Sequence, residues 1–222
     1  MAGFLKKRYR RDKIFYLGNV VNALAAPDKV AILQAKAHSK DIVFVGGRNY
    51  LTGANLIIGA CRELKTSYPD IRLHIIGMSK EDFGDLPGFV QCHGYLDKAR
   101  ADHKERYYTL LSNARIFVNT TPKWGAFSAM LEALHFYLPV ITTPFCECVE
   151  TFGEKLNFGE YCGDASPQTL RDKIAFIFET SSYTALCLNA HDSVKHFTWP
   201  EYMEKVLQRI GDTSASHGRV GD

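Results

Sequence analysis

The sequence predicts an α/β domain built on a doubly wound parallel sheet, and three observations carry that prediction. Short apolar runs rich in β-formers recur from residue 42 onward, longer amphipathic segments separate them, and most runs lack in/out alternation. Strands of that kind are buried on both faces. Right-handed crossovers then bring each helix back onto the sheet and make the strands parallel. A length of 222 residues suits one domain with short additions.

Residues 1–41 read as a basic N-terminal segment with a linker-like approach to the sheet. Lys6, Lys7, Arg8, Arg10, Arg11 and Lys13 form a basic run containing Asp12, and an apolar stretch from Ile14 to Ala26 follows. Gly18, Asn19 and Asn22 interrupt that stretch, which argues against a secretory leader. No window approaches the roughly 18 to 20 apolar residues of a membrane span. The expected location is cytoplasmic, with residues 6–13 a candidate peripheral contact for anionic lipid.

The first expected strand is Ile42–Gly46. A helix over 53–66 follows, with Leu56, Ile57, Ala60 and Leu64 on one side and Arg62, Glu63 and Lys65 on the wet side. Strands at Leu73–Gly77 and Phe89–His93 come next, then a helix over 103–113 that groups Tyr107, Leu110 and Leu111. Ile116–Asn119 reads as a strand, 127–137 as a helix grouping Phe127, Met130, Leu131 and Leu134, and Pro139–Thr142 as a strand. Helices near 167–180, 183–190 and 200–210 complete a domain spanning 42–210. The tail from Gly211 to Asp222, rich in Gly, Ser and Asp, is expected to be disordered.

Composition narrows the function classes. Hydrophobic residues at 46%, charged at 23% and aromatic at 12% exclude a disordered, collagenous or coiled-coil chain. A net charge of +3 gives no concentrated basic face, so nucleic acid is not an expected partner. The cysteines at 61, 92, 146, 148, 162 and 187 form neither a dense disulfide pattern nor CxxC pairs and read as reduced thiols. Cys146 and Cys148 with Cys162 or His93 come nearest to a metal set, but buried free thiols are the commoner use of such residues, and no metal site is expected. Ser128 lacks a Gly-x-Ser-x-Gly frame, which argues against a hydrolase triad and leaves it a helix N-terminal role.

Two segments carry chemistry. In such sheets ligands bind beyond the carboxyl ends of the strands, near the point where strand order switches. At Phe44–Gly53 a strand ends in Gly46 and Gly47, Arg48 follows, and Thr52-Gly53 opens a helix. Glycines admit a ligand close to the backbone, helix N-terminal amides bind phosphate oxygens, and a guanidinium neutralises a diphosphate, although an ordinary βα turn has the same residues. From Val118 to Thr143 a strand leads through a loop into a helix that carries Glu132 among apolar neighbours, then to Pro139 and another strand. A carboxylate inside a helix, beside a phosphate-ready N-terminus, is placed to accept hydrogen bonds from ribose hydroxyls.

That second segment resembles the nucleotide-sugar signature of the family 4 retaining glycosyltransferases of the GT-B type. Their second domain carries Glu-Gly-Phe-Gly, four residues, Glu-Ala and then Gly-x-Pro-Val-Ile; Gly125, Phe127, Glu132, Ala133, Pro139, Val140 and Ile141 fall in or near that register. Residues 44–53, Leu73–Gly77, His93-Gly94-Tyr95-Leu96 and Phe197-Thr198-Trp199 resemble further motifs of the same domain, and Gly18–Asn22 resembles the link that leads into it. The resemblance implies a Rossmann-like domain forming a single GT-B half. It implies that Glu132 holds the donor ribose, that Tyr95 and Leu96 lie beside the base, and that Arg48 with amides around Gly46, Gly47 and residues 125–128 (Gly125, Ala126, Phe127, Ser128) face the diphosphate. The implied activity belongs to carbohydrate biosynthesis. A hexosyl-type transferase moves a sugar from a nucleotide sugar to a hydroxyl acceptor with retention, using no cofactor and no obligatory metal.

Two positions depart from the pattern. Trp124 stands eight places before Glu132, where the family has a carboxylate that contacts the transferred sugar, and Thr52 stands where it has a lysine. Lys123 is a candidate replacement cation. A two-domain enzyme also needs an acceptor half, supplied by a separate acceptor-domain chain or by a longer protein. The other reading is a non-catalytic nucleotide-sugar-binding or interaction module. No residue is assigned as catalytic from the sequence.

Overall fold

The computed structural model describes residues 17–121, 127–164 and 166–217. The chain divides into two compact units: Asn22–Lys195, and Met1–Val21 with His196–Asp222. The larger unit begins with helix α1 (Lys29–Lys36), where Asp28 caps the N-terminus by accepting from the N–H groups of Val30 and Ala31 at 3.0 and 3.1 Å. Strand β1 (Asp41–Val45), a 3-10 turn (Arg48–Tyr50) and α2 (Leu51–Leu64) come next. Then follow β2 (Arg72–Ile76), β3 (Val90–Cys92), α3 (Ala101–Asn113), β4 (Ile116–Asn119), α4 (Phe127–His135) and β5 (Val140–Thr142). The unit closes with α5 (Cys146–Phe152), β6 (Gly159–Tyr161), α6 (Pro167–Glu179) and α7 (Tyr183–Val194).

All six strands are parallel, in the order β3-β2-β1-β4-β5-β6. This doubly wound order reverses between β1 and β4. Ile42, Val43 and Phe44 of β1 and Ile116, Phe117 and Val118 of β4 are completely buried, as unalternating apolar strands require. Helix α2 turns Ala54, Ile57, Cys61 and Leu64 inward and packs against α6, while α4 packs against α7. Gly53 is fixed by proximity: a Cβ there would lie 2.5 Å from Thr121 Oγ1, so the helix start can rest on the loop after β4 only without a side chain.

The amino ends of the strands collect buried cations. Lys36 is fully buried and its ammonium donates to the carbonyls of Leu111 and Ala114, at the last turn of α3. Arg115 stacks on the Tyr183 ring at 3.3 Å and donates to the carbonyls of Lys36, Ala37 and Phe178, at the ends of α1 and α6. Helix C-termini leave carbonyls without intrahelical partners and carry partial negative charge, so cations suit this end. Asp41 receives both arms of Arg72 at 2.7 and 2.9 Å, and His74 Nε2 stands 3.3 Å from the same carboxylate. His74 Nδ1 is in turn 3.1 Å from His93 Nε2, so one polar strip ties β1, β2 and the end of β3.

The expected elements are present, with shifts at their ends. Three go beyond the sequence reading: α1 lies in the segment read as a linker, and α5 and β6 fill the stretch after β5. In the smaller unit α8 (Trp199–His217) runs past Gly211, so the backbone of residues 211–217 is helical where disorder was expected; residues 218–222 lie outside the described residues. The unit boundary at Asn22 also differs from the expected start at 42. The basic run at 6–13 lies outside the described residues. Among the described residues no helix is long and apolar enough to cross a membrane.

Candidate functional site

A cavity of about 560 Å³ opens where β1 and β2 end. Its wall includes Val45, Gly46 and Gly47 after β1, Ile76 and Gly77 after β2, the loop Tyr95–Ala99, and Ser128 and Ala129 in the first turn of α4. Leu24 and Tyr107 complete it. This is the carboxyl edge beside the reversal of strand order, where helix N-termini converge and an anion is favoured. Gly77 adopts φ +100°, and a Cβ on it would lie 2.7 Å from the Gly46 carbonyl. The backbone therefore borders the cavity directly at both strand ends.

Glu132 sits on α4, only 3% exposed. Its Oε1 accepts from Lys98 Nζ at 2.6 Å, while Oε2 is buried without a hydrogen-bond partner. Lys98 lines the cavity and Glu132 does not, so the carboxylate reaches the cavity through the lysine. The ammonium also lies 5.0 Å from the centre of the Tyr107 ring. Burial, and then the charge of Glu132, raise the Tyr107 phenol well above its usual range and keep it protonated. The turn carrying Lys98 is fixed at both ends: Asp97 Oδ1 accepts from the Ala99 N–H at 2.9 Å, and the Asp97 N–H donates to His103 Nδ1 at 3.1 Å. Near the same loop, burial and then His74 and Arg106 lower the His93 pKa to about 4, so its ring is neutral at pH 7.

The expected site residues separate into groups. Gly46, Gly47, Tyr95, Leu96 and Ser128 share the cavity wall, with Tyr95 79% exposed at its edge. Arg48 does not line it: its exposed side chain donates from Nε to Asp82. Thr52 is exposed in the first turn of α2 and also lies off the wall. Trp124, Gly125 and Ala126 fall outside the described residues, as does the side chain of Phe127, whose backbone opens α4. Sequence reasoning missed Lys98, Tyr107 and Gly77. No periodic pattern points to Lys98, since its partner lies 34 residues away. A basic residue just after the loop assigned to the base was the available signal.

All six cysteines are free, and among the described residues no group of three or more His, Cys, Asp or Glu could hold a metal ion. A cavity with bare backbone, an exposed aromatic, a helix N-terminus and one cation paired to a buried carboxylate can seat an anionic ligand that also carries hydroxyl donors and a flat apolar ring.

Residues 39–179 match the sequence profile of the family described as glycosyl transferases group 1. The solved structure of Anabaena Alr3699/HepE in complex with UDP-glucose is similar over 94% of this chain and 60% of its own, with a TM-score of 0.69 and 17% identity. The pneumococcal O-GlcNAc transferase GtfA in complex with UDP and GlcNAc is similar over 87% of this chain and 38% of its own (TM-score 0.62, 13% identity). The GtfA/B complex matches over 87% and 39% (TM-score 0.63, 13% identity). At such identities the likeness shows the fold, and this chain spans less than two thirds of the length of each of these proteins. No curated protein sequence matches significantly.

Proposed function

This chain belongs to the group 1 glycosyl transferases, and from that premise we propose that it is the donor-binding half of a retaining, hexosyl-type transferase of the GT-B type, resembling family 4. A nucleotide sugar lies along the carboxyl edge of β1 and β2. Its base stacks on Tyr95 beside Leu96, its ribose hydroxyls donate to Glu132, and its diphosphate faces Gly46, Gly47 and the first turn of α4 at Ser128, with Thr52 and Arg48 at the outer edge. By the resemblance alone, the Trp124 position is assigned to the transferred sugar and Gly125, Ala126 and Phe127 to the diphosphate. In the reaction the anomeric carbon leaves the diphosphate oxygen and bonds to an acceptor hydroxyl oxygen, whose proton is released. Negative charge grows on the departing nucleoside diphosphate, and helix N-terminal amides stabilise it. Neither a cofactor nor an obligatory metal enters this reading.

The observation that carries the reading is the buried, half-satisfied carboxylate of Glu132 beside a cavity at the reversal of strand order. A carboxyl oxygen without a partner costs about 1 to 3 kcal/mol, which a hydroxyl-bearing ligand recovers. Solved structures of this fold hold UDP or UDP-glucose, which makes UDP and UDP-sugars the first probes. Calorimetry of the full chain is expected to detect a nucleotide diphosphate, with Glu132→Ala and Glu132→Gln weakening it by roughly 10- to 100-fold. Binding by no nucleotide in a panel of bases, or an unchanged Glu132→Gln, overturns the assignment. The acceptor half comes from a separate chain or a larger protein, and the likeness to the GtfA/B complex supports looking for a partner chain. Trp124 favours the second reading, a donor-binding module without transfer; sugar release to solvent or acceptor once a partner is supplied separates the two.

A further inference from the structure

Within the proposed nucleotide site, the described residues leave the cation for the diphosphate unaccounted for, and Lys123, the replacement named from the sequence, lies outside them. Thr52 brings no charge, and the Arg48 guanidinium is engaged by Asp82 away from the cavity wall. Among the described residues that line the cavity, Lys98 is the one Lys or Arg. Its side chain is 30% exposed, whereas the Glu132 side chain it pairs with is 4% exposed. The carboxylate is fixed on a buried helix face, and the lysine is a four-carbon stem on a cavity-lining turn.

We propose that Lys98 is a donor-binding residue that exchanges partners: it neutralises Glu132 in the empty site and turns to the diphosphate when ribose hydroxyls take over the carboxylate. This inference rests on the nucleotide reading above. An unpaired buried carboxylate is costly, so the empty site needs a counter-ion, and Lys98 supplies it at 2.6 Å. When a nucleotide enters, its hydroxyls donate to Oε1 and to Oε2, which has no partner in the empty site. The freed ammonium then stands in the same cavity as Gly46, Gly47 and the first turn of α4, where the diphosphate is assigned. The exchange links ribose and phosphate recognition through one side chain. It also predicts opposite effects on charged and uncharged ligands. A nucleoside must displace Lys98 from Glu132 and offers the ammonium no anion in return, whereas a nucleoside diphosphate recovers the charge pairing.

The experiment compares UDP with uridine on the full chain, by calorimetry and by NMR titration for weak binding, in wild type, Lys98→Met and Lys98→Arg. Melting temperatures confirm that the variants fold. Lys98→Met is expected to bind UDP about tenfold more weakly and uridine equally well or better, with a shallower salt dependence for UDP. Lys98→Arg is expected to stay within about threefold of wild type for UDP. A Lys98→Met variant that loses UDP and uridine in equal proportion shows a merely structural support of Glu132 and overturns the proposal. So does a variant that binds UDP as wild type does; if Glu132→Gln still loses UDP, the nucleotide reading survives that result. If another base in the panel binds better than uracil, its diphosphate and nucleoside replace UDP and uridine; a wild type that binds no nucleoside diphosphate in the panel overturns both readings together.

Discussion

Replacing Lys36 by Met should remove a pH dependence from the stability of this protein. The side chain has no exposed surface, and its ammonium is held by the Leu111 and Ala114 carbonyls, with no ion pair to a carboxylate among the described residues. Burial, opposed weakly by Cys187, lowers its pKa from 10.5 to about 7. Between those values the unfolded chain holds a proton that the native state has released, so native stability rises with pH across that window. A drop from 10.5 to about 7, at ~1.4 kcal/mol per unit, makes the full effect on the order of 5 kcal/mol. Below the lower value both states are protonated and the native state carries the whole penalty; above the upper value the penalty vanishes. Urea unfolding at a series of pH values reads this directly. The difference in unfolding free energy, wild type minus Lys36→Met, is expected to grow by about 1.4 kcal/mol per unit from about pH 7.5 to 9.5. The carbonyls left without a donor add an offset of about 1 to 3 kcal/mol each that does not vary with pH. Parallel curves for the two proteins would refute the reasoning, because they would mean that Lys36 stays charged in the native state or is reached by water.

Two further substitutions test the packing and the polar strip. Gly53→Ala places a Cβ 2.5 Å from Thr121 Oγ1 and 3.2 Å from its backbone nitrogen, so a loss of about 1 to 3 kcal/mol is expected; Thr121→Ala in the same chain should recover only part of it in a double-mutant cycle. Full additivity would show that the two residues do not collide. For Asp41, burial raises the pKa but the His74 ring 3.3 Å away and the hydrogen bonds from Arg72 prevail and hold it below 3.8. Its contribution is present above the unfolded value and fades as pH falls below about 4. Asp41→Asn is expected to cost about 1 kcal/mol at pH 6, since the exposed Arg72 is screened, and to flatten acid unfolding between pH 4 and 2. An unchanged acid limb would remove Asp41 from that role.

The strands and helices of the larger unit were legible wherever burial follows the ordinary pattern. Ile42–Phe44 and Ile116–Val118 are apolar without alternation, and they are the sheet's centre. The misses have particular causes. Helix α1 hides its deepest residue behind a charge: Lys36 is fully buried because helix α3 offers it carbonyls. Strand β6 is three residues, Gly159–Tyr161, and exists because β5 lies alongside to pair with it. In the site, the glycines after β1 and Glu132 could be named from residue types at a strand end and inside a predicted helix, and the loop aromatic Tyr95 from the family resemblance. Lys98 could not, because an ion pair between a loop and a helix leaves no periodic trace in either segment.

The sequence by itself determined the class of the fold, the edge of the sheet where the cavity opens, and the two glycines, Gly46 and Gly47, that border it after β1. Those follow from local quantities: apolar runs, helical spacing, glycines at strand ends. Tertiary structure alone decided how charge is distributed between the two ends of the sheet. Parallel strands place helix C-termini at their amino ends, where Lys36 and Arg115 are buried against carbonyls, and helix N-termini at their carboxyl ends, where Lys98 covers Glu132 beside the cavity. Partners of a charge depend on segments that meet only after folding. That is why Arg48, the cation the sequence brought forward, is taken up by Asp82, and why the lysine that lines the cavity had to be found in three dimensions.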